Sequence, residues 1–518
     1  MTHLNNPLIH TQLEGQGLLI ATIDMPGRSM NVFSDALMDA LEALMDRVDH
    51  DAEVQAVVLT SAKASFLAGA DLAMVGGFTA SARTLDEEQL FALCGRLGRL
   101  FVRLEASAKP YVAAVNGLAL GGGLELAMAC RERIVADDPR LQLGLPEVRW
   151  GLLPGAGGTQ RLPRLAGFEP GLSLLLSGRA LSPSEALELN VVRQVVPVDR
   201  LLAEAGALAL SLRGKPHDPK VKYRHLDQGD VPPHTEETVY RLAQVHGVSA
   251  EQFANYPAYR TIIDCVLLGA RQPLAEASAT EMRQFLRLMI DPVAGHMIRS
   301  LFLNRQQADK ALAGPDDLRV EDIVHGPITS ASQVWSDALA RSRVTVRQDA
   351  SLPPDRLHVT DSRGRAHVVQ AGSLASVDVP TSTALAILTP PGPYGRVLEI
   401  IGAAPATADA LAALAPRLGG ALPCCSGNGA SVLRRLQAAG ERSLDDQAVL
   451  ALKLLDDGTT LRAEFLDVAA LAAGVAPAYT GGPLTYLWQH RERLVPHFDS
   501  TAQAAWRRQL GTLQTAFD

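Results

Sequence analysis

Short apolar runs alternate with amphipathic ones through the first third of the chain, the pattern of strands and helices interleaved in an α/β fold. LLIATIDM (18–25) reads as a strand. Residues 34–48 place Leu37, Leu41, Leu44 and Val48 at helical spacing behind Ser34, a good N-cap, and VQAVVLTSA (54–62) returns as a buried strand. A second helix is predicted over 86–105, with Leu90, Leu93, Leu97, Leu100, Phe101 and Leu104 on one face, and KPYVAAVNG (109–117) supplies another buried strand. Residues 213–235 are polar and carry prolines, the pattern of an insertion or surface loop. Helical spacing resumes over 257–310, and the composition shifts near ALAGPDDL (311–318), where a domain boundary is expected. Beyond it VTVRQ, RLHVTDS, AHVVQ and ALAILTP are short strand candidates, and 406–518 is alanine- and leucine-rich and mostly helical.

Composition narrows the class. A chain of 518 residues, 47% hydrophobic and 20% charged, is globular and long enough for two to four domains. A net charge of -8 with no basic stripe argues against nucleic acid as a partner. The five cysteines (Cys94, Cys130, Cys265, Cys424, Cys425) form no C-x-x-C pair, so reduced thiols are expected and no metal. The N-terminus lacks a signal-peptide pattern, and the longest uncharged stretch, 468–489, is broken by prolines and a Gly-Gly pair, so a cytoplasmic protein without a membrane span is expected. The second half holds no G-x-G-x-x-G, no G-x-x-x-x-G-K-[ST] and no H-E-x-x-H.

Three stretches carry candidate chemistry. In LGGGLELAMAC (120–130) the glycines open a strand-to-helix junction, where first-turn amides face outward at the positive end of the helix dipole. Such amides stabilise an oxygen that gains charge during reaction. The same segment equally suits a tight turn followed by Glu125 in a dipole-favoured position. In LGLPEVRWGLLPGAGGTQRLPRL (143–165) Glu147 lies among apolar residues before a second glycine-rich turn, and two such carboxylates suggest an acid/base pair. SFLAGADLAMV (65–75) offers the Ala70 N–H as a second donor, although taken singly it reads as an ordinary small-residue turn.

Together, AGAD (68–71), VNGLALGGGLELA (115–127), LGLPEVRWGLLPGAGGTQRL (143–162) and LSGRALSPSEALELNVV (176–192) closely resemble the crotonase superfamily, specifically the enoyl-CoA hydratases. The resemblance implies a spiral of ββα units and an oxyanion hole made by the backbone N–H groups of Ala70 and Gly122 around a thioester oxygen. It implies Glu125 and Glu147 as the catalytic glutamates, and Ala68, Asp71, Leu72 and Arg28 as residues near the CoA substrate. Ala73 stands where several hydratases carry a lysine, and Asn190 where glycine is common. A Δ3-Δ2-enoyl-CoA isomerase, a C–C hydrolase of a cyclic β-diketone CoA ester and a non-catalytic acyl-CoA-binding subunit fit the same motifs. A homo-oligomer and a β-oxidation partner enzyme are both compatible with them.

NYPAYRTIIDCVLLG (255–269) resembles the hydratase-to-dehydrogenase join of bifunctional and trifunctional β-oxidation proteins. LAILTPPGPYGRVLEIIG (385–402) resembles the dehydrogenase segment that carries a catalytic histidine and, twelve residues later, its partner glutamate. Glu399 matches that glutamate, but Ile387 stands where the histidine belongs, and no Rossmann fingerprint lies near 315–345. The expected organisation is a hydratase domain over 1–312 with an insertion at about 213–254, a truncated Rossmann-like remnant over 313–405, and a helical dehydrogenase-like domain over 406–518. No dehydrogenase activity and no NAD cofactor are expected.

Overall fold

The computed structural model describes residues 7–71, 74, 77, 78, 81, 84–223, 225, 226, 228–375, 383–426, 430–458 and 462–517. These form two compact units, Met1–Gly295 and His296–Asp518, so the division falls one helix earlier than the composition shift near residue 312.

The first unit is built on strands β1 (Ile9–Glu14), β2 (Leu18–Ile23), β3 (Ala56–Ser61), β4 (Tyr111–Val115), β5 (Ala119–Leu120), β6 (Glu132–Ala136), β7 (Leu143–Gly144), β8 (Ala180–Leu181) and β9 (Gln194–Val196). Six of them form one sheet in the order β1-β2-β3-β4-β6-β9, antiparallel only between β1 and β2, while β5, β7 and β8 form a second, short sheet. Every residue of β3 and β4 is buried, as expected of parallel strands covered on both faces. The helix Asp35–His50 begins where the sequence places it, with the Ser34 side chain accepting the Leu37 N–H at 3.3 Å, and it buries Leu37, Leu41, Leu44 and Val48.

The helix expected over 86–105 is two helices, Glu87–Cys94 and Arg96–Ala106, separated at Gly95. Leu90, Leu100, Phe101 and Leu104 are buried as expected, whereas Leu93 is exposed on one side while bordering a cavity described below. The 213–235 segment also departs from a plain surface loop. Its short helix Pro219–Lys222 delivers Lys222 and Tyr223 inward, where both donate to the buried carboxylate of Glu105. Helices Glu236–Val245 and Ala250–Asn255 complete the stretch read as an insertion.

The second unit holds β10 (Val320–His325), β11 (Thr345–Gln348), β12 (Arg356–Asp361), β13 (Ala366–Gly372), β14 (Ala384–Leu388), β15 (Val397–Ile401) and β16 (Leu422–Ser426), ordered β11-β10-β12-β13-β14-β15-β16. The region read as a shortened Rossmann-like segment is thus a mixed sheet, in which the pairs β10/β11, β13/β14 and β15/β16 are parallel and the other three antiparallel. Trp335 is fully buried against it and donates its indole N–H to Gly372 O at 2.9 Å. The rest is helical, from Val432–Gly440 to Ser500–Phe517. Among the described residues no helix is long and apolar enough to cross a membrane.

Candidate active site

Phe33 organises one side of the site from a fully buried position. Its N–H donates to Gly69 O at 2.8 Å and its carbonyl accepts the Asp71 N–H at 2.7 Å, so the Ala70 N–H between those two bonds lies outside the ladder. Gly69 takes φ 90°, a value glycine adopts without steric cost. The same Phe33 ring lies so close to Gly122 that an added Cβ there would sit 3.0 Å away.

Each glycine of the run has its own reason to be glycine. Gly121 adopts φ 52° and ψ -128°, outside the regions open to L side chains, and a Cβ on it would stand 2.7 Å from Glu147 Oε1. A Cβ on Gly123 would press into the carbonyl oxygen of Leu67. The helix Gly122–Ala129 starts directly on this turn, and Gly121 donates its N–H to Gly144 O at 2.9 Å. Neither the Ala70 nor the Gly122 N–H donates to any group among the described residues. Both residues border a cavity of about 110 Å³ together with Glu125, Glu147 and an apolar wall that includes Leu97, Leu153, Met282 and Phe285.

Glu125 is almost fully buried, and its Oε1 accepts the N–H groups of Ala156 at 2.8 Å and Gly158 at 2.7 Å. Burial raises its carboxyl above the usual range, and those two amides oppose the shift. Glu147 is half-buried as a residue, but its Oε2 is enclosed and accepts no hydrogen bond among the described residues. Enclosure, then the charges of Glu125 and Glu281, raise this carboxyl well above its ordinary value. Both carboxylates are raised by burial, and Glu147 is raised further by the Glu125 charge, the kind of perturbation an acid/base pair uses.

Glu281, which sequence reasoning did not single out, belongs to the same cluster. It is fully buried on the helix Leu274–Ile290, where its Oε1 accepts the Gly157 N–H at 2.6 Å and its Oε2 accepts the Thr159 N–H at 2.9 Å and the Thr159 hydroxyl at 2.5 Å. Arg161, also fully buried, donates to Ala156 O at 2.8 Å and to Glu105 Oε2 at 3.0 Å. Burial alone would raise Glu105, yet the charges of Lys222 and Arg161 hold it down to about 2.

Of the other residues expected near substrate, Ala68 donates its N–H to Asn31 O, and Arg28 is half-exposed and pairs with Asp71 at 2.5 Å. That pairing places Arg28 beside the Ala70 turn. Leu72 and Ala73 lie outside the described residues. Among the described residues no three His, Cys, Asp or Glu side chains are grouped to hold a metal ion.

In the second unit β14 and β15 pair Ile387 directly with Glu399, so a histidine at 387 would have faced that carboxylate. Glu399 is instead satisfied by the hydroxyls of Ser426 (2.7 Å) and Ser431 (2.6 Å) and by the Val432 N–H (2.6 Å). The parallel pair β10/β11 is joined through the helix Gln333–Arg341, the unit whose first turn would cradle a dinucleotide pyrophosphate. That turn does not fit the group. Pro327 supplies no N–H, a Cβ on Gly326 would press into Pro353 O, and the Asp355 carboxylate takes the Thr329 N–H at 2.8 Å and its hydroxyl at 2.6 Å, placing negative charge where phosphate would lie.

The parallel-stranded first unit ends two free amides and two glutamates on one cavity, and it is crotonase-like. Residues 15–228, which lie in the first unit, match the family described as enoyl-CoA hydratase/isomerase. The fatty acid oxidation complex subunit alpha of Idiomarina loihiensis is 36% identical over 315 residues, which make up 60% of this chain and 43% of that protein. The protein of the same name from Shewanella frigidimarina is 36% identical over 296 residues, 57% of this chain and 40% of that one. The matched stretch spans less than half the length of either relative. The solved enoyl-CoA hydratase of Bacillus anthracis aligns over 59% of this chain and 96% of its own, with 26% identity and a TM-score of 0.35.

Proposed function

We propose that the first unit is a 2-enoyl-CoA hydratase, adding water across the double bond of an α,β-unsaturated acyl-CoA in fatty acid oxidation, the process named in the relatives' description. The observation that carries this reading is the convergence of the Ala70 N–H, the Gly122 N–H, Glu125 and Glu147 on one cavity. The two amides receive the thioester oxygen as it gains enolate charge, Glu125 and Glu147 hold the water between them, Glu125 helps activate it for attack at Cβ, and Glu147 exchanges the proton at Cα. The apolar wall takes the acyl portion, and the CoA portion runs past the Ala70 turn toward Arg28. Incubating the protein with a panel of enoyl-CoA thioesters and weighing the products tests this. A gain of one water is expected, and unchanged thioesters would refute it.

A Δ3-Δ2-enoyl-CoA isomerase is the second reading, favoured by the partnerless Glu147 Oε2, since one carboxylate beside the same amides suffices to move a proton. It would leave mass unchanged with the double bond moved. The two glutamates also fix the sign of the pH dependence. Hydration needs one of them ionised, and both are raised, so the rate should fall on acidification at a pH above the ordinary glutamate value of 4.5. A pH–rate profile with its acid limb at or below 4.5 would contradict the site.

For the second unit we propose no dehydrogenase activity. Ile387 facing Glu399 removes the base, and the Asp355-filled turn removes the place for pyrophosphate. Calorimetric titration with NADH should show no saturable binding in the micromolar range, and saturable binding would overturn this assignment.

A further inference from the structure

The turn that enters the helix Gly158–Ala166 presents four consecutive backbone N–H groups, and they alternate between two buried carboxylates. Ala156 and Gly158 donate to Glu125, whereas Gly157 and Thr159 donate to Glu281 from the other side. Gly157, at φ 100°, makes the alternation sterically open. Without an acceptor at 281, the Gly157 and Thr159 amides would be orphaned in a dry interior, and the turn would gain by rotating away from its present orientation. The hold on Glu125 depends on that orientation.

We propose that Glu281 is a positioning residue of the acid/base pair: it anchors Gly157 and Thr159 so that the intervening amides are presented to Glu125. This rests on the hydratase reading for its effect on rate, but not for its effect on the turn. The groups facing Glu281 are Thr159, Arg161 and Arg164 on its partner helix, Glu125 and Glu147 across the site, and Cys265 on the helix Pro257–Gly269. Burial and the neighbouring Glu125 charge push Glu281 up to about 8, against the pull of Thr159, Gly157 and Arg161. Its ionisation is therefore displaced to the alkaline side of an ordinary carboxyl.

The test compares Glu281→Gln, which keeps one acceptor oxygen, with Glu281→Leu, which keeps none, in the full chain. Hydration of crotonyl-CoA should fall in kcat by several-fold in the first and by roughly tenfold to a hundredfold in the second, with KM changed by no more than about twofold. An ionisation near pH 8 in the wild-type profile should vanish in both, and amide hydrogen exchange at residues 156–159 should quicken in the same order. Folded variants with wild-type kcat, pH profile and exchange would overturn the proposal. If both substitutions prevent folding, Thr159→Val removes only the hydroxyl contact, and it should quicken exchange at the turn and lower kcat; no change in either would count against the proposal. A wild-type protein that hydrates no thioester would refute the hydratase reading alone, and exchange in the variants would still decide the Glu281 anchor.

Discussion

Glu125→Gln and Glu147→Gln should each lower the hydration rate by roughly 100-fold or more, the loss expected when a positioned acid or base is removed, while thioester binding is largely kept. The two losses differ in origin. A glutamine at 125 can still accept the Ala156 and Gly158 amides through its carbonyl oxygen, so the turn stays in place and only proton transfer is lost. At 147 the enclosed Oε2 has no partner to miss, whereas a neutral residue at 125 also removes a charge that raises Glu147. Residual activity in Glu125→Gln should therefore persist to lower pH than in the wild type. Steady-state kinetics across pH checks both points, and near-normal turnover in either variant would remove that residue from the mechanism.

The second large effect is expected from Gly121→Ala. An alanine there must hold φ 52° and ψ -128°, and its methyl group would meet Glu147 Oε1 at 2.7 Å. Backbone strain and the displaced carboxylate together should cost about 3 kcal/mol of stability, and the activity should fall with it. Gly15→Ala, where nothing lies within 4 Å of the added carbon, provides the comparison. Denaturant melts of the two variants decide: equal stabilities would mean that the turn tolerates a side chain and that its glycines serve something else.

These two predictions rest on residues that the sequence displays openly, because glycine runs and carboxylates among apolar residues are rare enough locally to be noticed. The strands and the Ser34-capped helix were legible for a similar reason, since periodicity and capping are local properties. What was not legible depends on distant partners. Glu281 looks like one charge on an amphipathic helix, and only the fold brings it to a turn more than 120 residues away. Phe33 reads as one apolar residue, though it shapes both amides of the site. Lys222 sits in a polar, proline-bearing stretch, the usual pattern of a solvated loop, and its burial is set by Glu105 on a distant helix. In the second unit the strands were visible one by one, but their mixed directions were not, because strand direction in a sheet follows from connections rather than composition. Conversely, the dehydrogenase resemblance matched positions 387 and 399 to a histidine and its partner glutamate, and the antiparallel β14/β15 pair sets these two positions directly opposite each other.

The most direct measurement of the central claim is hydration of a 2-enoyl-CoA in isotopically labelled water, with the wild type run beside the Glu125→Gln/Glu147→Gln double variant. The account predicts that the wild-type product carries one labelled oxygen at Cβ and that the folded double variant forms essentially none. Label entering equally with both proteins, or with neither, would contradict it.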